Sequence, residues 1–315
     1  MIISASRRTD LPAFYSEWFI NRIQAGFCCV VNPLNAHQVS RVSLKPEDVT
    51  AIVLWSKNPA PLIPSLPILD RMGYRYYFQY TLNDYSNDLE QRIPPFHQRL
   101  DTFKSLANKI GQQRTIWRYD PIIFSPSLDE SYHLDRFNKI ATELNGSTNR
   151  VMISILDMYD KVSNRLEKQG QYFNTAYSPD PPGGKLLTFL RELHDIAGTN
   201  GMEIFSCAEE TDFADAGIQH GHCIDTDLIR QLWHLPIKFK KDKGQRKACG
   251  CSVSKDIGAN STCLHECVYC YSTMSLELSR KRYKQHDPTS PFLWGTGNIP
   301  AEKELKPNHS QLELL

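Results

Sequence analysis

Cys263, Cys267 and Cys270 stand at C-x3-C-x2-C spacing in the stretch Cys263-Leu264-His265-Glu266-Cys267-Val268-Tyr269-Cys270. Three thiolates on one short loop can each take one iron of a cubane cluster, which leaves the fourth iron open to a small molecule. The same spacing suits a zinc knuckle in which His265 or another cysteine completes the tetrahedron. Four more cysteines bear on metal chemistry: Cys207 at the end of an apolar run, Cys223 before a helical segment, and Cys249 and Cys251 in a C-x-C. Seven divides into three plus four, giving one cubane with an open iron and one fully ligated site that would hold an auxiliary [4Fe–4S] cluster or a structural zinc. The plainer alternative makes Cys207 and Cys223 ordinary buried thiols. Cys28 and Cys29 are adjacent in an apolar run, where neighbouring side chains face opposite ways, and are expected to pack in the core.

The elements that must position these groups alternate along the chain. Residues 2–6 read as a buried strand running into Ser6-Arg7-Arg8-Thr9-Asp10, followed by an amphipathic helix with Asp10 as N-cap and Gly26 as stop. Further apolar runs lie at 27–31, 51–55, 76–78, 115–117, 151–156 and 202–206, with helical segments at 96–110, 130–144 and 184–197. This rhythm predicts an α/β fold with a mainly parallel sheet: a full or partial (β/α) TIM-like barrel with a C-terminal cysteine-rich extension, or a doubly wound open sheet. The expected organisation is a barrel-like domain over 1–235, a cysteine-rich segment packed at its mouth over 236–285, and a tail over 286–315 pinned by Phe292 and Trp294. Residues just after each strand gather on one face: Arg7, Arg8, Asp10, Lys57, Asn58, Gln79, Asn83, Arg118, Asp120, Asp157, Glu209 and Glu210. Taken singly, each is better explained as a cap, a loop salt bridge or a solvated turn. Residues 160–184 read as a loop or lid, and 238–247 carries six Lys or Arg residues that suit a solvated linker or a phosphate-bearing partner.

Composition narrows the classes. Over 315 residues the formal net charge is +1 and 41% of the residues are hydrophobic, enough for a substantial core and no global reason to expect nucleic acid, which is neither implied nor excluded. Nine cysteines, five of them within 249–270, suit metal ligation in a reducing compartment better than a disulfide framework. No run has the form of a signal peptide or a membrane span, so a cytoplasmic protein without membrane association is expected.

With an aromatic residue before its last cysteine and the run Tyr269-Cys270-Tyr271, the cysteine loop resembles the signature of radical S-adenosylmethionine (radical SAM) enzymes. More of the chain carries a second resemblance: Ser6-Arg7-Arg8-Thr9-Asp10, Trp55-Ser56-Lys57-Asn58-Pro59, Trp117-Arg118-Tyr119-Asp120-Pro121 and Cys249-Gly250-Cys251 through Ser254-Lys255-Asp256-Ile257-Gly258 to Cys270. Together these are similar to a bacterial family, the domain of unknown function 1848, over roughly residues 1–295. That family is noted for a C-terminal cysteine cluster like the one radical SAM enzymes carry near their N-terminus. The Lys-Asn-Pro and Arg-Tyr-Asp-Pro turns more distantly resemble those of spore photoproduct lyase. This sequence differs in placing the cluster loop after the last strand, a circular permutation, and it has no clear Gly-Gly-Glu equivalent.

The resemblance implies a [4Fe–4S] cluster on Cys263, Cys267 and Cys270, with S-adenosylmethionine on the open iron and Tyr269 near the adenine. Gln79, Ser154 and Asp157 would serve the cofactor, and Arg7, Arg8, Lys57, Arg118, Asp120 and Glu209 would hold cofactor and substrate. The implied partners are an unknown substrate and a low-potential electron donor such as flavodoxin or ferredoxin. The competing expectations are a zinc- or cluster-stabilised nucleic-acid-binding protein using 238–247, and a β/α hydrolase whose cysteines are structural.

Overall fold

The computed structural model describes residues 1–33, 35–168 and 183–301. Strand β1 (Ile2–Ala5) is buried along its whole length. Asp10 then caps α1 (Leu11–Phe14) by accepting from the Ala13 N–H, and α2 (Ser16–Ala25) stops at Gly26, whose φ of 74° is open to glycine at no steric cost. The run at 27–31 does not continue the βα rhythm. It forms β2 (Phe27–Asn32), which pairs antiparallel with β3 (Asn35–Ser43) in a separate two-stranded ribbon. β3 is rich in polar residues and largely solvent-facing, so its apolar pattern was too thin to announce a strand. Cys28 and Cys29 are both buried, as their positions implied.

The rhythm resumes with β4 (Ala51–Ser56), α3 (Leu66–Arg71), β5 (Tyr76–Thr81), α4 (Phe96–Ile110), β6 (Thr115–Ile122), α5 (Glu130–Leu144), β7 (Arg150–Ile155), α6 (Asp160–Glu167), α7 (Gly184–Thr199) and β8 (Glu203–Ser206). Helix α6 replaces the start of the loop expected over 160–184, and residues 169–182 of that loop lie outside the described residues. After β9 (Gln219–His220), α8 (Thr226–Trp233) and β10 (Lys255–Asp256), helix α9 (Leu276–Lys284) completes the described elements. Of the expected tail, residues 302–315 also lie outside them, whereas Phe292 is buried and Arg282 lies over the Trp294 ring at 5.1 Å.

Eight strands form one sheet in the order β10-β1-β4-β5-β6-β7-β8-β9, and every neighbouring pair is parallel. From β1 to β9 the order never reverses, so the switch point that defines a doubly wound sheet is absent from it. The exception to chain order is β10, which follows all the other strands in sequence and sits beside β1.

Both faces of the sheet are covered, which is why its strands read as continuous apolar runs. Ile3, Ile52, Leu54, Phe78 and Trp117 pack with the helices in the main core. Their sequence neighbours Ile2, Ala51, Val53, Tyr77, Ile116 and Met152 face the other way, onto a second cluster built from α8 and the cysteines at 223, 249 and 251. A third cluster joins Leu89, Ile123, Leu156 and Leu166 to Cys267, Val268 and Tyr269 at the carboxyl ends of the strands.

Candidate metal centre

The cysteine loop is fastened across the ends of β1, β4 and β5 by buried charge. Asp10, just after β1, accepts from Ser56 Oγ at 2.7 Å and from the Lys57 N–H at 2.8 Å as well as from Ala13, and it also contacts His265 Nε2 at 2.7 Å. His265 Nδ1 faces the Arg92 carbonyl at 3.4 Å, so both ring nitrogens are engaged and neither is offered to a metal. Lys57 Nζ donates to Glu90 Oε1 and to Tyr269 Oη, each at 2.8 Å, Tyr269 Oη donates to the same carboxylate, and Arg99 lies 3.6 Å from it. Burial opposes the charges of both Lys57 and Glu90, but their mutual attraction prevails: Lys57 is raised and Glu90 lowered. Glu266 is held bidentately by Arg280 at 2.7 Å, and backbone carbonyls at 262 and 270 accept from Tyr15 Oη and Arg165.

The three thiols of the loop have unequal exposure, Cys267 buried and Cys263 and Cys270 partly open. Burial pushes the Cys263 thiol up to about 12, while backbone N–H groups of His265 and Asp10 work against it. Burial raises Cys267 as well, and the Lys57 charge is what favours its thiolate.

The second set of thiols lies at the ends of β8 and β9 and before β10. Cys207 and Cys223 have their sulfurs 3.1 Å apart, and hydrogen bonds continue the contact from Cys223 to Cys251 and from Cys251 to Cys249. Arg118 donates to Cys223 Sγ at 2.9 Å, to Gln79 Oε1 at 3.2 Å and through Nε to Asp120 at 2.9 Å. Ser154 Oγ donates to Asp120, and Gln79 Nε2 donates to the Cys223 carbonyl at 3.1 Å. Gln79, Arg118, Asp120 and Ser154 are thus one hydrogen-bonded network. Gln79 is fully buried with both amide atoms occupied, which directs it to the second thiol set and away from open space. Arg7 donates to Ser254 Oγ at 3.2 Å and feels the charges of Cys251, Cys223 and Cys249. Among the described residues, no three His, Cys, Asp or Glu side chains already surround a single ion position.

A family model described as a domain of unknown function (DUF1848) matches residues 2–272. The chain belongs to the DUF1848 family. Among curated proteins there is no match. A crystal structure of D-hydantoinase is similar at 11% identity and a TM-score of 0.29 over 66% of the DUF1848 chain, which spans 41% of the hydantoinase's length. A candidate alpha-L-fucosidase from Bacteroides thetaiotaomicron is similar at 12% identity and a TM-score of 0.23, covering 77% of this chain and 85% of the other. At such scores neither likeness informs fold or chemistry.

Elsewhere in the DUF1848 chain, a cavity of about 370 Å³ opens at the ends of β7 and β8, lined by Asp157, Tyr159, Glu209, Glu210, Arg246 and Ala248. Asp157 and Arg246 form a half-exposed ion pair on it. Glu209 accepts from the Ile155 N–H at 2.8 Å, and burial raises its carboxyl to about 8, so it can carry a proton at neutral pH. Arg8 engages its neighbours through its backbone, donating to Ser6 Oγ and accepting from Ser272 Oγ. The buried charges Glu90, Arg99 and Glu266 were absent from the strand-end inventory because they lie within loops and at a helix start. The only sequence signal for them was the His-Glu pair inside the cysteine loop, where charge has no reason to sit unless it is paired.

Proposed function

We propose that the protein is a radical SAM-type enzyme whose open-iron [4Fe–4S] cluster is held by Cys263, Cys267 and Cys270. The observation that carries this reading is the position of the loop: three thiols laid over the strand ends, with the loop's own His265 committed to Asp10. The donor set fits such a cluster, because three thiolates ligate three irons and the partial exposure of Cys263 and Cys270 leaves an approach to the fourth. Cys263, Cys267 and Cys270 would hold the cluster, which, once reduced by an external low-potential donor, would supply one-electron reductive cleavage of S-adenosylmethionine for hydrogen-atom abstraction from substrate.

The chain's own residues orient and shield. Lys57 sits beside Cys267 and offsets thiolate charge, while Glu90, itself paired with Arg99, fixes its ammonium in place. Tyr269 is locked by Lys57 and Glu90 and packs edge-on against Tyr85 at 5.8 Å, so any contact it makes with adenine runs through its backbone. Asp120, held by Arg118 and Ser154, and protonated Glu209 beside the cavity are the groups proposed to bind substrate. The strand order supports a partial barrel of permuted sequence: β10, which leads into the cluster loop, is first in space and precedes β1.

The test is anaerobic purification followed by iron analysis, electron paramagnetic resonance of the reduced protein with and without S-adenosylmethionine, and assay of 5′-deoxyadenosine. About four irons per chain assigned to this loop, a signal that S-adenosylmethionine perturbs, and loss of both in Cys267→Ala are expected. A signal indifferent to S-adenosylmethionine would refute the reading.

A further inference from the structure

Of the six thiols outside the loop, Cys28 and Cys29 lie in β2 and the other four lie together elsewhere. They come from three stretches that are distant in sequence: Cys207 directly after β8, Cys223 after β9, and Cys249 and Cys251 before β10. These stretches flank the two ends of the sheet, since β9 and β10 are its edge strands. The Ser252 N–H donates to the Ile224 carbonyl at 3.0 Å and the Ile224 N–H points to Cys251 Sγ at 3.4 Å, so the thiols lie where the two edges are stitched together.

Sulfur spacing decides what such a site can hold. Around one zinc ion, with Zn–S near 2.3 Å, tetrahedral sulfurs lie about 3.8 Å apart, whereas a cubane spreads its ligands further because each binds a different iron. The Cys207–Cys223 separation of 3.1 Å is within about 1 Å of the zinc spacing, and the contacts run on from Cys223 to Cys251 and from Cys251 to Cys249, so the four thiols lie in one chain of contacts that must rearrange to surround a single ion. A disulfide is not formed, since all four cysteines are free.

Charge agrees. Four thiolates around a divalent ion leave two negative charges, and two guanidiniums face the set: Arg118, on Cys223 Sγ, and Arg7, beside Cys251, Cys223 and Cys249. Gly250, between the last two cysteines, has no room for a side chain, because a Cβ there would overlap the His222 ring. His222 Nδ1, at that same point, is buried without a hydrogen-bond partner.

We propose that Cys207, Cys223, Cys249 and Cys251 bind one zinc ion in a closed tetrahedral site that fastens the β8–β9 edge of the sheet to β10. Binding displaces four thiol protons and forms four Zn–S bonds, with no change of oxidation state. The site leaves no ligand position open, so its role is to hold the fold and not to turn over substrate.

The experiment measures zinc and iron in the full chain and in Cys249→Ala/Cys251→Ala and Cys267→Ala. The natural chain is expected to hold about one zinc, lost in the double variant and kept in Cys267→Ala. Retention of zinc by Cys267→Ala also makes this result independent of the open-iron reading. If the double variant does not fold, Co²⁺ replaces zinc in the intact chain, and an intense thiolate-to-cobalt charge-transfer band with tetrahedral ligand-field bands is the expected signature. Zinc unaffected by the double variant, loss of about four irons in its place, a Cys207–Cys223 disulfide in the anaerobic protein, or no thiolate band with Co²⁺ would each overturn the proposal.

Discussion

Glu90 decides whether the cysteine loop stays where it is. Its carboxylate is almost completely buried and faces two cations, Lys57 at 2.8 Å and Arg99 at 3.6 Å, with the Tyr269 hydroxyl as a further donor. A buried pair is an ambiguous source of net stability, but removing one partner strands the other in low dielectric, at a cost of about 3–5 kcal/mol. Glu90→Gln keeps the shape and an acceptor for Tyr269 while leaving Lys57 and Arg99 uncompensated. Its unfolding free energy from urea titration is expected to fall by an amount in that range, and any iron held by the proposed site should be retained less well after gel filtration. A loss below about 1 kcal/mol would mean that the loop is held by its apolar contacts instead. Lys57 was legible in sequence because it follows a strand. Glu90 was not, because nothing in a polar loop distinguishes a solvated glutamate from one folded back beneath a cysteine.

Between elements, the docking of α5 on β6 turns on His133. Its Nε2 lies 2.9 Å from the Ile123 carbonyl and its Nδ1 2.8 Å from the Tyr119 hydroxyl, so the proton sits on Nε2 and the phenol donates to Nδ1. Burial lowers its pKa to about 4 from an ordinary value of 6.5. Between those values the unfolded chain binds a proton that the folded chain refuses, so this contribution is complete above 6.5 and is lost as pH falls towards 4. The loss amounts to about 3 kcal/mol. In urea titrations across this window, His133→Gln should be the less stable protein at neutral pH, by about 1–2 kcal/mol, and have the shallower acid limb. The titration of other groups is common to both proteins and cancels in the difference; parallel limbs would sink the assignment. The helix itself was legible from its 3.6-residue apolar spacing, as were α4 and α7. Opaque elements were those whose pairing rests on context: β3, with its polar sequence, and the two-residue strands β9 and β10, too short to carry any pattern.

The whole molecule is a parallel sheet whose spatial order departs from chain order at one place. β10 pairs with β1 through Ile3 and Ser4, and the Ile257 N–H donates to the Ser4 carbonyl at 3.0 Å. The cysteine loop leads from β10 into α9, and α9 lies against α1 and α2, with Tyr283 edge-on to Phe14 and Tyr15 at 6.4 and 5.6 Å. In space, then, β10, loop and α9 form a unit that comes before β1, although the chain writes it last. If this arrangement and not the order of synthesis specifies the fold, the chain can be rewritten to match it. A permuted protein would begin at Leu235, run to Gly297, and continue through a Gly/Ser linker of about 15 residues, with a root-mean-square span near 20 Å, into Met1 and on to His234. Joining and opening the chain at surface segments should change stability by no more than about 2 kcal/mol, the scale of altered loop closure. The permutant is therefore expected to unfold cooperatively near the urea midpoint of the natural order and to hold the same iron. A soluble permutant that folds but binds no iron would show that the cluster loop depends on connections severed at residue 234. Failure to fold would show that the natural chain order, and not the spatial arrangement alone, specifies the fold.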